Sequence, residues 1–341
     1  MKILHTANGG SNWQVVDSSS GAIGDVFFGS GDKAWLVKKI LRQNKQYAIV
    51  YCTTDGGHLW RASNTMLLPN GRSDRPQLMF DPSCHSGWLA ITAGGMNSNQ
   101  TLQLWRTLDG GAHWTLMSNV NPTDFLLGLR NAKNGWAECA HAGAPLSAWL
   151  KGPVHSQDPI AEPALYRTTD GGRTWSPQYL PVPDMLSQHD GYVSLGNISW
   201  FGYQGYIPVS FSSGQLPYMK WGIYVTKNGG QTWHLYLENG VANNYGANLT
   251  KVSFSMVGLT GLFECVTVLH ESNNGPYLAK ATHLYFQSAP EKRWRQIGIG
   301  KTPVPFTQVQ FVSNKIGFAL TQDGNLYKTK DAGHDWSAVN Y

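Results

Sequence analysis

The sequence has few charged residues: Asp, Glu, Lys and Arg make up 14% of the 341 residues, and the formal net charge is +5. Proteins that bind nucleic acid usually concentrate basic side chains in one stripe. The small excess here is scattered, so we expect no nucleic-acid partner. Long apolar runs are also missing. No stretch approaches the ~18 apolar residues of a membrane-spanning segment, and we expect no membrane span in this chain.

The first ten residues, MKILHTANGG, lack the apolar core of a secretory signal. This beginning fits a mature extracytoplasmic protein whose leader has been removed, and it also fits a cytoplasmic protein. The low charge favours an extracytoplasmic location, secreted, periplasmic or on a membrane surface, and a cytoplasmic location is the alternative.

Residues that could serve catalysis or metal binding are scarce as well. Glycosidases mostly need two carboxylates flanking the sugar bond, and the chain has only six glutamates: Glu138, Glu162, Glu238, Glu264, Glu271 and Glu291. No nucleophile elbow, phosphate-binding loop or dinucleotide fingerprint is present. The four cysteines, Cys52, Cys84, Cys139 and Cys265, show no CxxC spacing. We therefore expect no enzyme activity, no metal site and no cofactor, with catalysis as the minority interpretation.

One nine-residue segment recurs along the sequence. Clear copies are CTTDGGHLW (52–60), RTLDGGAHW (106–114), RTTDGGRTW (167–175), VTKNGGQTW (225–233) and KTKDAGHDW (328–336). HTANGGSNW (5–13) and FQSAPEKRW (286–294) are degenerate copies. Their closing tryptophans fall at positions 13, 60, 114, 175, 233, 294 and 336. Self-similarity at roughly 40 to 50 residues predicts a propeller or a solenoid.

Each copy is flanked by apolar or aromatic runs, which predicts two strands joined by a short hairpin loop. The Asp or Asn can accept backbone N–H bonds in the loop, and the glycine that follows can adopt a positive φ. The tryptophan can fill the gap between neighbouring sheets. These residues are therefore predicted to be structural: Asp55, Trp60, Asp109, Trp114, Asp170, Trp175, Asn228, Trp233, Asp331 and Trp336.

A second repeated element alternates with the first. One apolar strand, a loop and a strand with an aromatic near its start recur six times, as in QLMFDPSCHSGWLAI (77–91). The two elements together predict a four-stranded antiparallel sheet with strands A to D, repeated around the chain. Such sheets bury both faces when several stack in a closed ring. We predict an all-β fold: one β-propeller domain over residues 1–341, with the repeated box in the C–D hairpins. Seven hairpins against six A–B units favour seven blades, one of them reduced to two strands. The alternatives are six blades with an extra hairpin, and a first segment before Met1 that supplies the missing strands.

The pattern [ST]-x-[DN]-x-G-x-x-W is similar to the Asp-box, or BNR, repeat. The fuller unit, F…GWA…LYRTTDGGRTW, most resembles the photosystem II stability and assembly factor-like propellers. That resemblance covers the whole chain and implies a non-catalytic scaffold that binds a protein partner, and it also favours an extracytoplasmic location. Sialidases and two-propeller xyloglucanases share the box, so a carbohydrate-binding protein or glycoside hydrolase is the alternative. The arginine triad and Tyr nucleophile of sialidases have no match here, and xyloglucanases use a cleft between two propellers.

Variable loops point to where a partner would bind. In a four-stranded meander the C–D hairpins and A–B loops share one end, and the B–C and D–A loops share the other, where length varies most. Binding segments in compact domains are usually such loops. The candidate binding residues are Lys38, Lys39, Arg42 and Lys45 in one B–C loop, Trp149, Lys151 and His155 in the longest one, and Tyr218 in a third. The basic set could equally be a solvated loop, Trp149 a loop anchor, and Tyr218 a packing residue at the entry to strand C. A polysaccharide ligand stays open.

Overall fold

A computed structural model describes residues 3–6, 8, 12–17, 22–29, 32–68, 76–93, 101–120, 125–138, 144–145, 165–181, 192–212, 220–238, 247–257, 261–270, 278–287, 295–297, 306–311, 313, 315–321 and 323–339. All regular structure in this part of the chain is β-strand. No helix that could cross a membrane occurs among these residues. Contacts divide the chain into two compact units, residues 1–144 with 151–180, and residues 145–150 with 181–341.

The first unit contains four antiparallel sheets. The smallest pairs β1 (Ile3–His5) with β2 (Gln14–Asp17). The next has the order β3 (Ala22–Phe28), β4 (Ala34–Arg42), β5 (Lys45–Thr53) and β6 (Arg61–Ala62), with β7 (Met66–Leu67) also pairing with β5. The third contains β8 (Gln77–Phe80), β9 (Gly87–Ala93), β10 (Thr101–Thr107) and β11 (Thr115–Val120). The fourth contains β12 (Phe125–Leu129), β13 (Gly135–Glu138), β15 (Leu165–Thr168) and β16 (Ser176–Pro177).

The second unit contains three further antiparallel sheets. One has the order β14 (Ala144–Pro145), β17 (Tyr192–Leu195), β19 (Gln204–Ser212), β20 (Lys220–Thr226) and β21 (His234–Glu238), with β18 (Ser199–Phe201) pairing with β19. Another contains β22 (Ala247–Val257), β23 (Gly261–His270), β24 (Leu278–Gln287) and β25 (Arg295–Ile297). The last contains β26 (Phe306–Phe311), β27 (Gly317–Thr321), β28 (Leu326–Thr329) and β29 (Ser337–Ala338).

The predicted four-stranded antiparallel unit is confirmed. In the sheet β3–β6, for example, the strands follow the order of the sequence as strands A, B, C and D, and the segment 53–60 lies between strands C and D. Five sheets share one register. The threonine that opens each box is paired with Gly or Ala on strand B, and the residue before that threonine is paired with Trp, Tyr or Phe. Strand B of these five sheets therefore carries a small residue beside the box threonine, and the next residue along strand B is aromatic.

Packing between neighbouring sheets forms the core of the first unit. Trp35 and Val50 from one sheet and Phe80 and Leu89 from the next belong to one buried cluster. The Trp35 and Phe80 rings are stacked with centroids 4.0 Å apart. Large aromatic side chains bury the most apolar area per residue, so they contribute most of the packing that holds these sheets together.

One predicted loop is a correction. The segment 38–46 was expected to be a B–C loop, but Lys38, Lys39 and Arg42 lie on β4 and Lys45 lies on β5. Only Gln43 and Asn44 form the turn, with φ of 48° and 59°. Two central residues with positive φ make the turn type whose twist matches that of the flanking strands. This turn lacks the glycine that usually signals it. The charged segment was therefore predicted to be a loop, whereas it forms a tight hairpin.

Candidate functional site

The Asp box is a compact hydrogen-bonded loop. In the segment 53–60, the Thr53 hydroxyl donates to an Asp55 carboxylate oxygen at 2.7 Å and accepts the Gly57 N–H at 3.0 Å. The same Asp55 oxygen accepts the Leu59 N–H at 3.0 Å. Equivalent bonds occur in the boxes that open at residues 107, 168, 226 and 329. Each of these Asp or Asn side chains is therefore committed to holding its own loop.

The carboxylates of these loops stay ionised. Burial tends to raise the pKa of Asp109, but hydrogen bonds from the His113 backbone and ring and from the Thr107 hydroxyl outweigh burial and hold the pKa at about 2. Burial also opposes ionisation of Asp170, and bonds from Thr174, Thr168 and Arg173 again lower its pKa to about 2. A general acid needs a raised pKa near the working pH. The box carboxylates are therefore unsuited to protonating a leaving group.

A second repeated bond ties each box to the loop between strands A and B. The backbone N–H of Gly56 donates to the Asp32 carbonyl at 2.9 Å, and Gly110 donates to the His85 carbonyl at 2.8 Å. The same bond joins residues 171 and 133, 229 and 203, and 332 and 315. The boxes and the A–B loops therefore share one end of each of these sheets. The described B–C turn at Gln43–Asn44 lies at the opposite end of its sheet.

Box tryptophans and strand-B aromatics pack between neighbouring sheets of the first unit. Trp114 is buried in the cluster that contains Trp35 of the neighbouring sheet, and Trp175 packs edge-on against Trp88 with centroids 5.8 Å apart. The Trp35 indole N–H donates to the Gly110 carbonyl at 2.7 Å. This packing is what the structural role predicted for Trp114 and Trp175 requires.

Four of the predicted binding residues lie on the β4–β5 hairpin at the end opposite the boxes. Arg42 and Lys45 are exposed and are directly paired across the strands, while Lys38 and Lys39 are half-buried. The Lys38 ammonium lies 5.1 Å from the centre of the Tyr51 ring. The structure thus brings these four basic residues together on one hairpin. Trp149, Lys151, His155 and Tyr218 lie outside the described residues, and their roles stay predictions.

A pocket that sequence reasoning missed lies between the β1–β2 hairpin and the sheet β3–β6. Its walls include Ile3, His5, Phe28, Gly57 and Trp60. Phe28 is 64% exposed although it is a large apolar side chain. The mismatch between seven hairpins and six A–B units was the one signal in the sequence that pointed to this place. We refer to it as the first-hairpin pocket.

Metal ligands are not grouped in the part of the chain that the structure describes: it contains no cluster of three or more His, Cys, Asp or Glu side chains that could hold an ion. Among the described residues, Cys52 is a half-buried thiol on β5 and Cys84 is buried.

Comparison with known proteins agrees with these observations. The sequence model of the BNR/Asp-box repeat family matches residues 166–177, which include one box and its flanking strands. No curated protein sequence matches the chain significantly.

Solved structures share the fold. YCF48 bound to D1 peptide has a TM-score of 0.50 and 17% identity, over 93% of this chain and 81% of that one. The beta-propeller domain of the trilobed protease from Pyrococcus furiosus gives 0.49 and 12%, over 93% and 82%. An alpha-L-arabinanase from Penicillium chrysogenum, complexed with arabinobiose, gives 0.47 and 11%, over 90% and 77%. The chain is thus an all-β protein of the β-propeller fold, built from four-stranded antiparallel sheets with Asp-box (BNR) repeats, as its resemblance to the photosystem II assembly factor-like propellers implied.

Proposed function

We propose that this protein is a non-catalytic scaffold that binds a protein partner through the end of its sheets opposite the Asp boxes. The observation that carries the proposal is the β4–β5 hairpin, which presents Arg42 and Lys45 side by side next to a two-residue turn. Leu41 in the same hairpin is 68% exposed. Basic and apolar groups on one rigid hairpin suit a protein segment that is acidic and partly apolar.

Stability does not account for this arrangement. Like charges directly opposite each other on paired strands are destabilising, and Gln43 with positive φ adds a local cost because it has a side chain. A pair that weakens its own hairpin is better explained by attraction to an opposite charge on a ligand. Electrostatic attraction of this kind also speeds association.

Two further observations support binding over catalysis. The box carboxylates are ionised and hydrogen-bonded within their loops. Burial raises the pKa of Asp25, but its two oxygens are occupied by the Val26 and Leu78 backbone N–H groups at 2.9 and 2.7 Å. A propeller of similar fold, YCF48, has been solved with D1 peptide bound, which supports a peptide or protein as the ligand here.

The proposal includes seven blades and an extracytoplasmic location. Seven sheets occur among the described residues, six of them with four or more strands, and this supports seven blades in a single domain with the β1–β2 hairpin as the reduced one. The low charge of the sequence supports the location. Fractionation of cells that express the tagged full-length gene product tests it, and recovery with cytoplasmic markers would contradict it.

The test of binding is an affinity capture from extracts of the source organism with three baits. These are the wild type, the double variant Arg42→Glu/Lys45→Glu, and the control Lys315→Glu/Lys330→Glu. Both double variants lower the net charge of +5 by four. The control residues are exposed in the sheet β26–β29, at the end that carries its Asp box, whereas Arg42 and Lys45 lie at the end opposite the box of their own sheet. We expect a protein that the wild type and the control retain and the Arg42/Lys45 variant loses.

The captured protein is then purified and titrated against the same three baits. Its affinity should fall as salt rises, because exposed charges are screened. Equal capture by all three baits, or no capture at all, contradicts the proposed site. Glycan-binding and glycosidase assays then test the carbohydrate alternative.

A further inference from the structure

Positive charge is concentrated at the box end of the fourth sheet, which contains β12, β13, β15 and β16. The A–B loop of this sheet (130–134) and its nine-residue repeat (167–175) contain one acidic residue, Asp170, and four basic residues: Arg130, Lys133, Arg167 and Arg173. The corresponding segments of the sheets β3–β6 and β8–β11 contain two acidic residues and one basic residue each: Asp32, Asp55 and Lys33 in the former, and Asp81, Asp109 and Arg106 in the latter. The fold therefore gathers basic residues that the sequence spreads out.

Arg106 brings a further positive charge to this end from the neighbouring sheet. It directly precedes the box threonine Thr107 and is half-buried. A Cβ atom on Gly171 would lie 2.0 Å from an Nη atom of Arg106 and 2.8 Å from the Ala132 carbonyl oxygen. The Arg106 guanidinium group therefore lies against both the box and the A–B loop of the fourth sheet. Arg173 is exposed in the same box, close after Gly171.

Three of these arginines have no acidic partner in the part of the chain that the structure describes. There, no carboxylate oxygen lies within 4.0 Å of the guanidinium group of Arg106, Arg167 or Arg173. The A–B loops and boxes of the sheet β8–β11 and of the fourth sheet are described completely, so no acidic side chain of these segments is missing from the comparison. Asp170 accepts hydrogen bonds from the hydroxyl groups of Thr168 and Thr174, within its own loop.

Burial and like charges both act against the positive charge of these side chains. Burial lowers the pKa of Arg106, the charge of Arg173 lowers it further, and the charge of Asp170 opposes the two effects. Burial likewise lowers the pKa of Arg167, and the charge of Arg130 adds to that effect. The Nε atom of Arg167 is buried without a hydrogen-bond partner. A buried charge is costly unless it is paired, so a bound anion would lower the free energy of this end of the sheet.

The repeat does not require arginine at these positions. In other sheets the residue before the box threonine is different: Cys52, Val225 or Lys328. Other boxes also differ at the position of Arg173, where they have His58, Ala112, Gln231 and His334. The threonine and glycine of the box are nevertheless bonded in the same way in all five copies. Loop architecture therefore does not explain why the charges of Arg106 and Arg173 are brought together.

We propose that Arg106 and Arg173 bind a phosphate group at the box end of the fourth sheet. A guanidinium group presents N–H donors in a planar fork that fits phosphate oxygens. A phosphate ester carries about two negative charges at neutral pH, which two guanidinium groups balance, whereas a carboxylate balances only one. The bound phosphate group replaces repulsion between the two arginines with attraction of both to one ligand.

This site is independent of the hairpin proposed to bind a protein. It lies at the box end of its sheets, whereas Arg42 and Lys45 lie at the end opposite the box of their own sheet. Its ligand is a small anion, and none of its residues belongs to the β4–β5 hairpin. Failure of one proposal therefore leaves the other measurable.

The probe is inorganic phosphate, titrated at constant ionic strength into the full chain with isotope-labelled arginine side chains. NMR spectra of the arginine Nε–H groups report binding. The variants are Arg173→Gln and Arg106→Gln, and the matched control is Arg61→Gln. Arg61 and Arg173 are both exposed at a box, so each of these substitutions removes one positive charge without disturbing packing. Circular dichroism verifies that every variant is folded.

We expect saturable binding of phosphate to the wild type and to Arg61→Gln. The affinity should be lower by about tenfold for Arg173→Gln, because a hydrogen bond between charged groups is lost. Arg106→Gln should weaken binding at least as much, and Arg173→Gln decides the question if that variant does not fold. Acetate, which carries a single charge, should bind the wild type more weakly than phosphate does.

A titration with glycerol phosphate identifies the source of the phosphate group. Tighter binding than inorganic phosphate supports a phosphate ester as the natural ligand, and equal or weaker binding supports free phosphate. Absence of saturable binding, equal affinity of the wild type and Arg173→Gln, or acetate binding as tight as phosphate binding overturns the proposal. The first of these results would mean that an acidic segment of this chain already occupies the two arginines.

Discussion

Replacing Thr107 with valine tests whether the box threonine holds its loop together. Thr107 is 1% exposed. Its hydroxyl donates to Asp109 at 2.8 Å and accepts the Gly111 N–H at 2.9 Å. Valine has nearly the same shape but can make neither bond. The substitution therefore removes the hydrogen bonds with little change in packing.

The expected cost follows from which partners are left behind. The Gly111 N–H is buried and loses its acceptor, which costs ~1–3 kcal/mol. Asp109 also loses a donor, but its side chain is 43% exposed, so water can replace that bond at a smaller cost. We expect Thr107→Val to lower the free energy of unfolding by ~2–3 kcal/mol.

Urea unfolding followed by tryptophan fluorescence measures the total effect, and hydrogen–deuterium exchange of the segment 107–114 measures local opening. Thr115→Val is the matched control, because Thr115 is exposed on the next strand and surface substitutions usually stay within ~0.5 kcal/mol. A Thr107→Val protein as stable as this control, with unchanged exchange in the box, would refute the reasoning.

Three further perturbations test the repeat. Because the pKa values of Asp109 and Asp170 are depressed to about 2, their ionised forms stabilise the fold above the unfolded pKa, and that stability is lost as pH falls from about 4 through 2. Acid titrations should show a smaller loss in Asp109→Asn and Asp170→Asn, and an unchanged acid transition contradicts this. Trp35→Ala should lower the free energy of unfolding by ~3–5 kcal/mol in urea, since the ring is buried; a cost below ~1 kcal/mol contradicts it. Gly111→Ala should destabilise much more than Gly324→Ala in thermal melts, because both have positive φ but only Gly111 has the Trp35 ring within 2.9 Å of the added carbon; equal shifts in melting temperature contradict it.

The repeat unit could be predicted because it depends on local chemistry. A threonine, an Asp or Asn, a positive-φ glycine and a tryptophan in fixed order specify one loop, and the structure shows the same bonds in five copies. Alternating apolar residues before and after the loop specify the strands. The four-stranded antiparallel sheets could be predicted from these signals without any knowledge of distant contacts.

The candidate sites were harder to predict for two physical reasons. The Gln43–Asn44 turn carries no glycine, so nothing in the segment 38–46 marked it as paired strands. The first-hairpin pocket depends on Phe28, Gly57 and Trp60, which lie up to 32 positions apart. That these residues line one pocket depends on how the strands pack, which only coordinates show.

The bond between each box and the A–B loop of its own sheet has a consequence for how such a chain can grow. Donor and acceptor lie 24 residues apart in Gly56 and Asp32, and 25 apart in Gly110 and His85. Both groups belong to the main chain, so the acceptor residue can differ from copy to copy, as Asp32 and His85 do. A gene segment that encodes one repeat therefore encodes both partners of this hydrogen bond when it is duplicated. Each copy can then change the loops at the opposite end of its sheet without losing the bond.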